Sequence, residues 1–292
     1  MKYFIVIVSL ITLCFSFGFA NRGMMPFNPY VQIFEPNQRA MIAWNGTEQI
    51  LLLSTDLHAT DSTRVLEVMP LPAEPEVKKG DLETFRKATD LINRKLYAEK
   101  AAAGRVMSEG VVVPSGEVTF HKKIGAHDIS VTHLLDATGF VDWVVEYLKT
   151  LDIEQDIVSD KMKQLIEEYI ADDFEWFAFD VITLTKDVVT NEPIQYSFQS
   201  GHLFYPLKIT STAEGSTSIE LLILTPRLLN RFPSLPIDHI HLRHEPIEIT
   251  QDELRDLNED MYALLKGYER MKLRIWEIEG ELKKFDADLL AR

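Results

Sequence analysis

A single cysteine, Cys14, occurs in 292 residues, and it lies within an apolar amino-terminal run. If that run is removed as a leader the chain carries no thiol, so disulfides, thiol nucleophiles and iron–sulfur ligation are excluded. Positive charge is also scarce: 30 basic side chains face 45 acidic ones, for a formal net charge of −15. The resulting field repels phosphate backbones and anionic membrane surfaces, which argues against nucleic-acid binding. The phosphate loop G-x-x-x-x-G-K, the dinucleotide turn G-x-G-x-x-G and the nucleophile elbow G-x-S-x-G are all missing. His244-Glu245 is followed by Pro246, which cannot sit in the helix that the zinc-protease motif H-E-x-x-H requires. No repeat, low-complexity tract or flexible linker interrupts the chain after the leader, so residues 21–292 read as one domain.

The amino end has the layout of a secretory signal peptide. Lys2 is followed by the uncharged, mostly apolar run Tyr3 to Phe19, and Gly18 and Ala20 place small residues where a signal peptidase reads them. The alternative is an uncleaved anchor, because the run is near the length of about 18 residues that spans a bilayer. Leu13 precedes Cys14 where a lipoprotein needs a small residue. The expectation is an exported protein, periplasmic, extracellular or tethered by residues 1–20, that meets an envelope or extracellular partner and touches a membrane only through that segment.

Beyond the leader, periods of two and of three to four residues alternate in groups. A short strand is expected at Tyr30 to Phe34. Arg39 to Trp44 and Thr47 to Thr55 flank Asn45-Gly46, which suits a type I′ hairpin turn. Strands are expected at Arg64 to Met69, Val111 to Val113, Glu117 to Ile124 and Asp128 to Leu135. Leu82, Phe85, Ala88, Leu91, Ile92 and Leu96 mark a helix that starts after Gly80-Asp81 and stops at Gly104. Two more helices follow, Thr138 to Leu151 and, capped by Ser159, Asp160 to Ala171. Strands return at Phe174 to Thr185, Ile194 to Gln199, Leu203 to Thr210, Ser218 to Leu224 and Asp238 to Leu242. Thr250 and Glu253 form a capping box for a helix that buries Leu254, Leu257, Met261, Leu264 and Leu265. Lys272 to Glu279 reads as a strand, and Leu282, Phe285 and Leu289 repeat at helical spacing. Strand runs separated by grouped amphipathic helices predict an α+β fold with largely antiparallel sheet layers.

Several blocks together resemble the secreted prokaryotic proteins catalogued as domain of unknown function 2330. They are QRAMIAWNGTEQILLLSTDL, VLEVMPLPAEP, IGAHDISVTHLLDATGFVDWVVEYL, SGHLFYPLKIT and LRIWEIEGELKKFDADLLA. The resemblance implies export and one domain, and it assigns no activity. It also implies paired cysteines near the mature amino end in many members, where this chain reads Asn21-Arg22-Gly23-Met24-Met25.

Chemistry-bearing residues are few. His239 and His241, two apart on an expected strand and followed by His244, could share zinc or another divalent metal, with a further ligand from His202, His133 or a carboxylate. That is the motive for an alternative reading as a metal-binding protein or metal-dependent hydrolase. Ser200-Gly201-His202 lacks the strand–turn–helix setting of an activated serine and reads as a turn. Glu167, Glu168, Asp172, Asp173 and Glu175 read as a solvated helix face rather than a glycosidase pair or calcium loop. Phe174, Trp176, Phe177 and Phe179 read as a strand buried on both faces, and Met24, Met25 and Phe27 as ties from the terminus to the core. The leading expectation is therefore a non-catalytic interaction or binding domain with no cofactor. Intact-mass analysis of protein from an envelope fraction is expected to give a chain starting at Asn21; a mass starting at Met1 identifies the anchor instead.

Overall fold

The computed structural model describes residues 23–28, 30–102, 127–153, 156–190, 192–229, 231–235 and 237–292. The chain opens with β1 (Met25–Pro26), β2 (Ile33–Trp44), β3 (Glu48–Ala59), β4 (Thr63–Leu71), β5 (Glu76–Lys79) and α1 (Leu82–Ala102). It continues with β6 (His127–His133), α2 (Ala137–Lys149), α3 (Asp160–Ala171), β7 (Trp176–Leu184), β8 (Val189–Thr190), β9 (Ile194–Gln199) and β10 (Leu203–Tyr205). The last part holds β11 (Ser216–Thr225), β12 (Ile240–Leu242), β13 (Ile247–Thr250), α4 (Gln251–Leu257), α5 (Glu259–Leu265), β14 (Arg270–Glu281) and β15 (Leu289–Ala291).

Period-two residues on both sides of the same strands decide how these elements stack. In β2, Ala40 and Ile42 enter one apolar cluster while Met41 and Ala43 enter another. Leu51 and Leu53 separate from Ile50 and Leu52 in β3 in the same way, as do Leu221 and Ile223 from Leu222 and Leu224 in β11. Such strands must be covered on both faces. One face of the large sheet, ordered β12-β14-β11-β2-β3-β9-β5, packs on α1, α4 and α5 through Phe85, Leu91, Leu254 and Met261. Its other face packs toward a second sheet, ordered β1-β4-β7-β6, and toward the β10–β15 pair. The far side of that second sheet carries α2 and α3, with Phe177 and Phe179 against Phe140, Met162, Ile166 and Tyr169. The order of layers is helix, sheet, sheet, helix. All pairings are antiparallel except β11 with β2, as expected of an α+β chain.

Local signals read from sequence reappear in atomic detail. Asp136 and Ser159 cap α2 and α3, and Thr250 with Glu253 closes a full capping box on α4. The β2–β3 hairpin forms, but not with the type I′ turn expected. Only Gly46 takes a positive φ, 109°, while the Asn45 side chain accepts hydrogen bonds from the backbone of Thr47 and Glu48, each 2.9 Å long. Glycine at the first of two central positions is closer to the II′ arrangement.

Three expectations are corrected. The strand expected to run from Leu203 to Thr210 ends at Tyr205, because Pro206 has no N–H for a ladder, and a 3-10 turn follows at Lys208–Thr212. The single helix after Thr250 is two helices: Asn258 ends α4 and its side chain caps α5 through Met261 N–H, 3.0 Å away. The helical spacing of Leu282, Phe285 and Leu289 is a 3-10 turn at Leu282–Lys284 followed by β15, which pairs with β10. Residues 1–20, the stop at Gly104 and the strands expected at 111–113 and 117–124 lie outside the described residues.

Phe179 sits between Phe140 and Trp143, with ring centroids 5.5 and 4.4 Å away, and is fully buried. Phe179→Ala is expected to lower unfolding free energy by about 3–5 kcal/mol in denaturant titrations. A loss below about 1 kcal/mol would mean that α2 does not pack on β7 as described.

Candidate functional site

The histidine group of the sequence is spread over three local environments. His239 closes a 3-10 turn at Ile237–His239, so the strand alternation that would set it beside His241 begins only at Ile240. Its Nδ1 donates to the Glu279 carbonyl at 2.9 Å, and its ring lies 5.5 Å from that of Phe285. His241 is exposed, opposite Glu277. His244 is half-buried with both ring nitrogens engaged: Nδ1 donates to the Glu245 carbonyl at 2.6 Å and Nε2 accepts Ile275 N–H at 3.1 Å. Burial holds the His244 imidazole below its ordinary pKa, consistent with that neutral tautomer. Among the described residues no group of three or more His, Cys, Asp or Glu comes together as a metal-binding set.

The other candidates separate as well. The Ser200 hydroxyl donates to the backbone carbonyl of His202, not to its ring. His133 stacks on Trp176 and pairs with Glu175 at 2.8 Å. Glu168 meets Lys208 at 3.0 Å, Asp172 lies 3.9 Å from the same ammonium, and Asp173 takes a left-handed turn with φ 65°. Trp176, Phe177 and Phe179 pack on both sides of β7, Met24 joins the cluster between the sheets, and Met25 and Phe27 join the α2–α3 cluster.

Two buried carboxylate sites did not stand out in the sequence. Glu67 of β4 and Asp180 of β7 are direct cross-strand partners, both nearly inaccessible, and His127 of β6 pairs through Nδ1 with Asp180 Oδ2. With Thr55, Glu192 and Tyr196 they line a void of about 20 Å³ between the two sheets, room for one water. Asp180 Oδ1 and Glu192 Oε2 are buried there without a hydrogen-bond partner among the described residues. The second site is Asp288, whose Oδ1 accepts from Tyr169 OH (2.9 Å), Leu207 N (2.8 Å) and Lys208 N (2.8 Å). Burial raises the Asp288 carboxyl to about 6 against the pull of these donors, and Tyr169 is pushed well above its ordinary value by burial and then by Asp288.

Openings toward solvent among the described residues include two of ligand size. A groove of about 750 Å³ between α1 and α4 is lined mostly by charges that answer one another, Arg86 with Asp90 at 3.0 Å, Lys87 with Asp256 at 3.6 Å, and Glu253 with Lys95 at 2.7 Å, while Arg94 in its wall enters no ion pair among the described residues. A recess of about 410 Å³ lies at the tip of the β2–β3 hairpin, where the segment after β11, the start of β14 and the residue after β15 converge. Hydrogen bonds fix its walls: Trp44 Nε1 to the Ser200 carbonyl (3.0 Å), Tyr268 OH to the Asn45 carbonyl (2.9 Å), Arg274 Nη1 to the Leu229 carbonyl (3.3 Å). Arg227 and Arg292 are among its lining residues, and its lining side chains include no carboxylate.

A family model described as an uncharacterized protein conserved in bacteria (DUF2330) matches residues 19–233. The chain belongs to that family. DUF2330 carries no assigned activity, so membership transfers no catalytic residue to any of these sites. Among curated proteins nothing matches at a significant level. Two solved structures give distant likenesses. The crystal structure of baculovirus P35 is 9% identical with a TM-score of 0.44, covering 92% of this chain and 99% of that one. The caspase-8/P35 complex is 11% identical with a TM-score of 0.33, covering 88% and 90%. Likenesses this weak carry no functional conclusion.

Asp288 generates a pH test. Its folded value lies above the ordinary 3.8, so the folded state binds the proton more tightly than the unfolded one. Its stabilising contribution is present in full below about pH 4 and is lost as pH rises through about 6. Asp288→Asn keeps an acceptor for the three donors and cannot ionise. Between pH 4 and 7 the wild type is expected to lose about 2–3 kcal/mol relative to this variant in denaturant midpoints. Parallel profiles would show that the Asp288 carboxyl is not raised by the fold.

Proposed function

We propose that this DUF2330 protein is exported to the cell envelope and acts by binding rather than by turnover, as one domain over residues 21–292. The observation that carries the reading is the division between closed and open polar groups. His244 has both ring nitrogens on backbone, Ser200 is turned onto a carbonyl, and the His127–Asp180–Glu67 group surrounds a void fit for water but not for a substrate. The two openings described above are lined by mostly paired charges, or by arginines and apolar side chains, without a base and nucleophile in contact. Catalysis by general base and nucleophile needs those groups within hydrogen-bond reach of each other.

Export rests on the Lys2 to Ala20 pattern, and the family match begins only at residue 19. One domain is supported by an apolar cluster that takes residues from β2 through β15. The partner is an envelope or extracellular component.

Elemental analysis of protein purified without chelator is expected to give no stoichiometric transition metal, and the same result for the His239→Ala/His241→Ala variant. About one metal per chain, lost in that variant while it stays folded, would overturn the reading in favour of the metal-dependent alternative. So would a turnover abolished by one substitution of a polar residue.

A further inference from the structure

The recess at the β2–β3 tip stands apart from the rest of a strongly acidic molecule. Elsewhere on the surface cations are commonly tied to carboxylates, as in Arg243–Glu220, Lys272–Glu248, Lys283–Glu214 and Lys186–Asp61. Arg227 and Arg292 are both exposed, and neither enters an ion pair among the described residues. A carboxylate following Arg292 would offset one of the two charges and still leave the recess positive. The positive field reaches a neighbour: the His202 imidazole is held below its ordinary value, first by burial and then by the Arg292 charge.

The same recess is lined by apolar side chains as well. Leu228 and Tyr268 each keep 38% of their area open to solvent, with Leu229 and Trp44 buried behind them. Exposed apolar side chains set beside unmatched arginines on a hydrogen-bonded frame are the features of a ligand pocket, and about 410 Å³ falls in the usual range of about 300–1,000 Å³. Guanidinium is planar and matches a carboxylate with two parallel hydrogen bonds.

We propose that this recess binds a small organic carboxylate with a compact apolar or aromatic body, the head on Arg227 and Arg292 and the body on Leu228 and Tyr268. The proposal rests on the binding reading above and names its ligand class. The net negative charge of the protein disfavours anions in general, so selection falls to the two arginines of the recess.

Isothermal titration of the full chain with 3-phenylpropanoate, 3-phenylpropanamide and acetate separates the parts. The phenylpropanoate is expected to saturate below about 10 mM, with the amide and acetate each at least about fivefold weaker. The Arg227→Gln/Arg292→Gln variant, altered only at exposed positions, should keep the wild-type melting temperature and lose about fivefold or more in affinity. Equal binding of the amide would show that charge is not read, and equal binding of acetate that the body is not. Unchanged affinity in the variant would place binding elsewhere, and absence of saturation would remove this ligand class. Each of those results overturns the proposal, and none overturns the binding reading, which fails only on turnover or metal.

Discussion

The central strands of the large sheet have no solvent face, and the rest of the molecule follows from that constraint. β2, β3 and β11 carry apolar side chains on both sides, so helices must cover one face and a second sheet the other. The second sheet in turn has an outer apolar face, which calls for α2 and α3. Gln49 shows how a polar residue is accommodated in such a place. It is completely buried in β3, and its amide donates to the Phe204 carbonyl (2.7 Å) and accepts from Phe204 N–H (2.8 Å). A side chain thus repeats the two-way pairing of a strand and ties β10 to the large sheet.

Facing sheets also confine charge. Glu67 and Asp180 stand opposite each other in register, an arrangement that costs stability unless a proton or a cation offsets it. His127 on the neighbouring strand meets the Asp180 carboxylate through its ring Nδ1. Asp288 is handled with donors instead, two backbone N–H groups and a tyrosine hydroxyl converging on one oxygen. The first arrangement joins three strands within one sheet, and the second fastens the segment before β15 to α3.

Fold class was legible because its signals are local and redundant. Ser159, Thr250 with Glu253, and the two-sided apolar runs each point to one structure. The errors fall where one residue outweighs a periodic pattern: Pro206 ending β10, Asn258 dividing α4 from α5, and the segment from Leu282 to Leu289 turning back to pair. Sites were less legible, because they depend on which strands meet. Asp180 within WFAFDVITL and Glu67 within VLEVMP are acidic residues in apolar runs, a signal readable in advance of any structure. The recess had no such signal. Asn45, Arg227, Tyr268 and Arg292 are far apart in sequence and adjoin only because β2, β11, β14 and β15 end at one side of the fold. For His239 and His241, close in sequence, the strand period does not extend to His239, because the chain makes a turn at Ile237–His239.

The stretch that matches the family ends at residue 233, but the sheet does not end there. β14 begins at Arg270 and pairs with β11 from Ser216 to Thr225, on the side opposite β2. The family match and the sheet therefore have different boundaries. A fragment cut at the limit of likeness would leave the β11 edge open, with Leu222 and Leu224 stripped of their cover from Met261 and Leu273. An uncovered apolar edge of that length pairs readily with other chains. The last 59 residues, outside the stretch that matches the family, supply the strand and helices that cover this edge and face of β11.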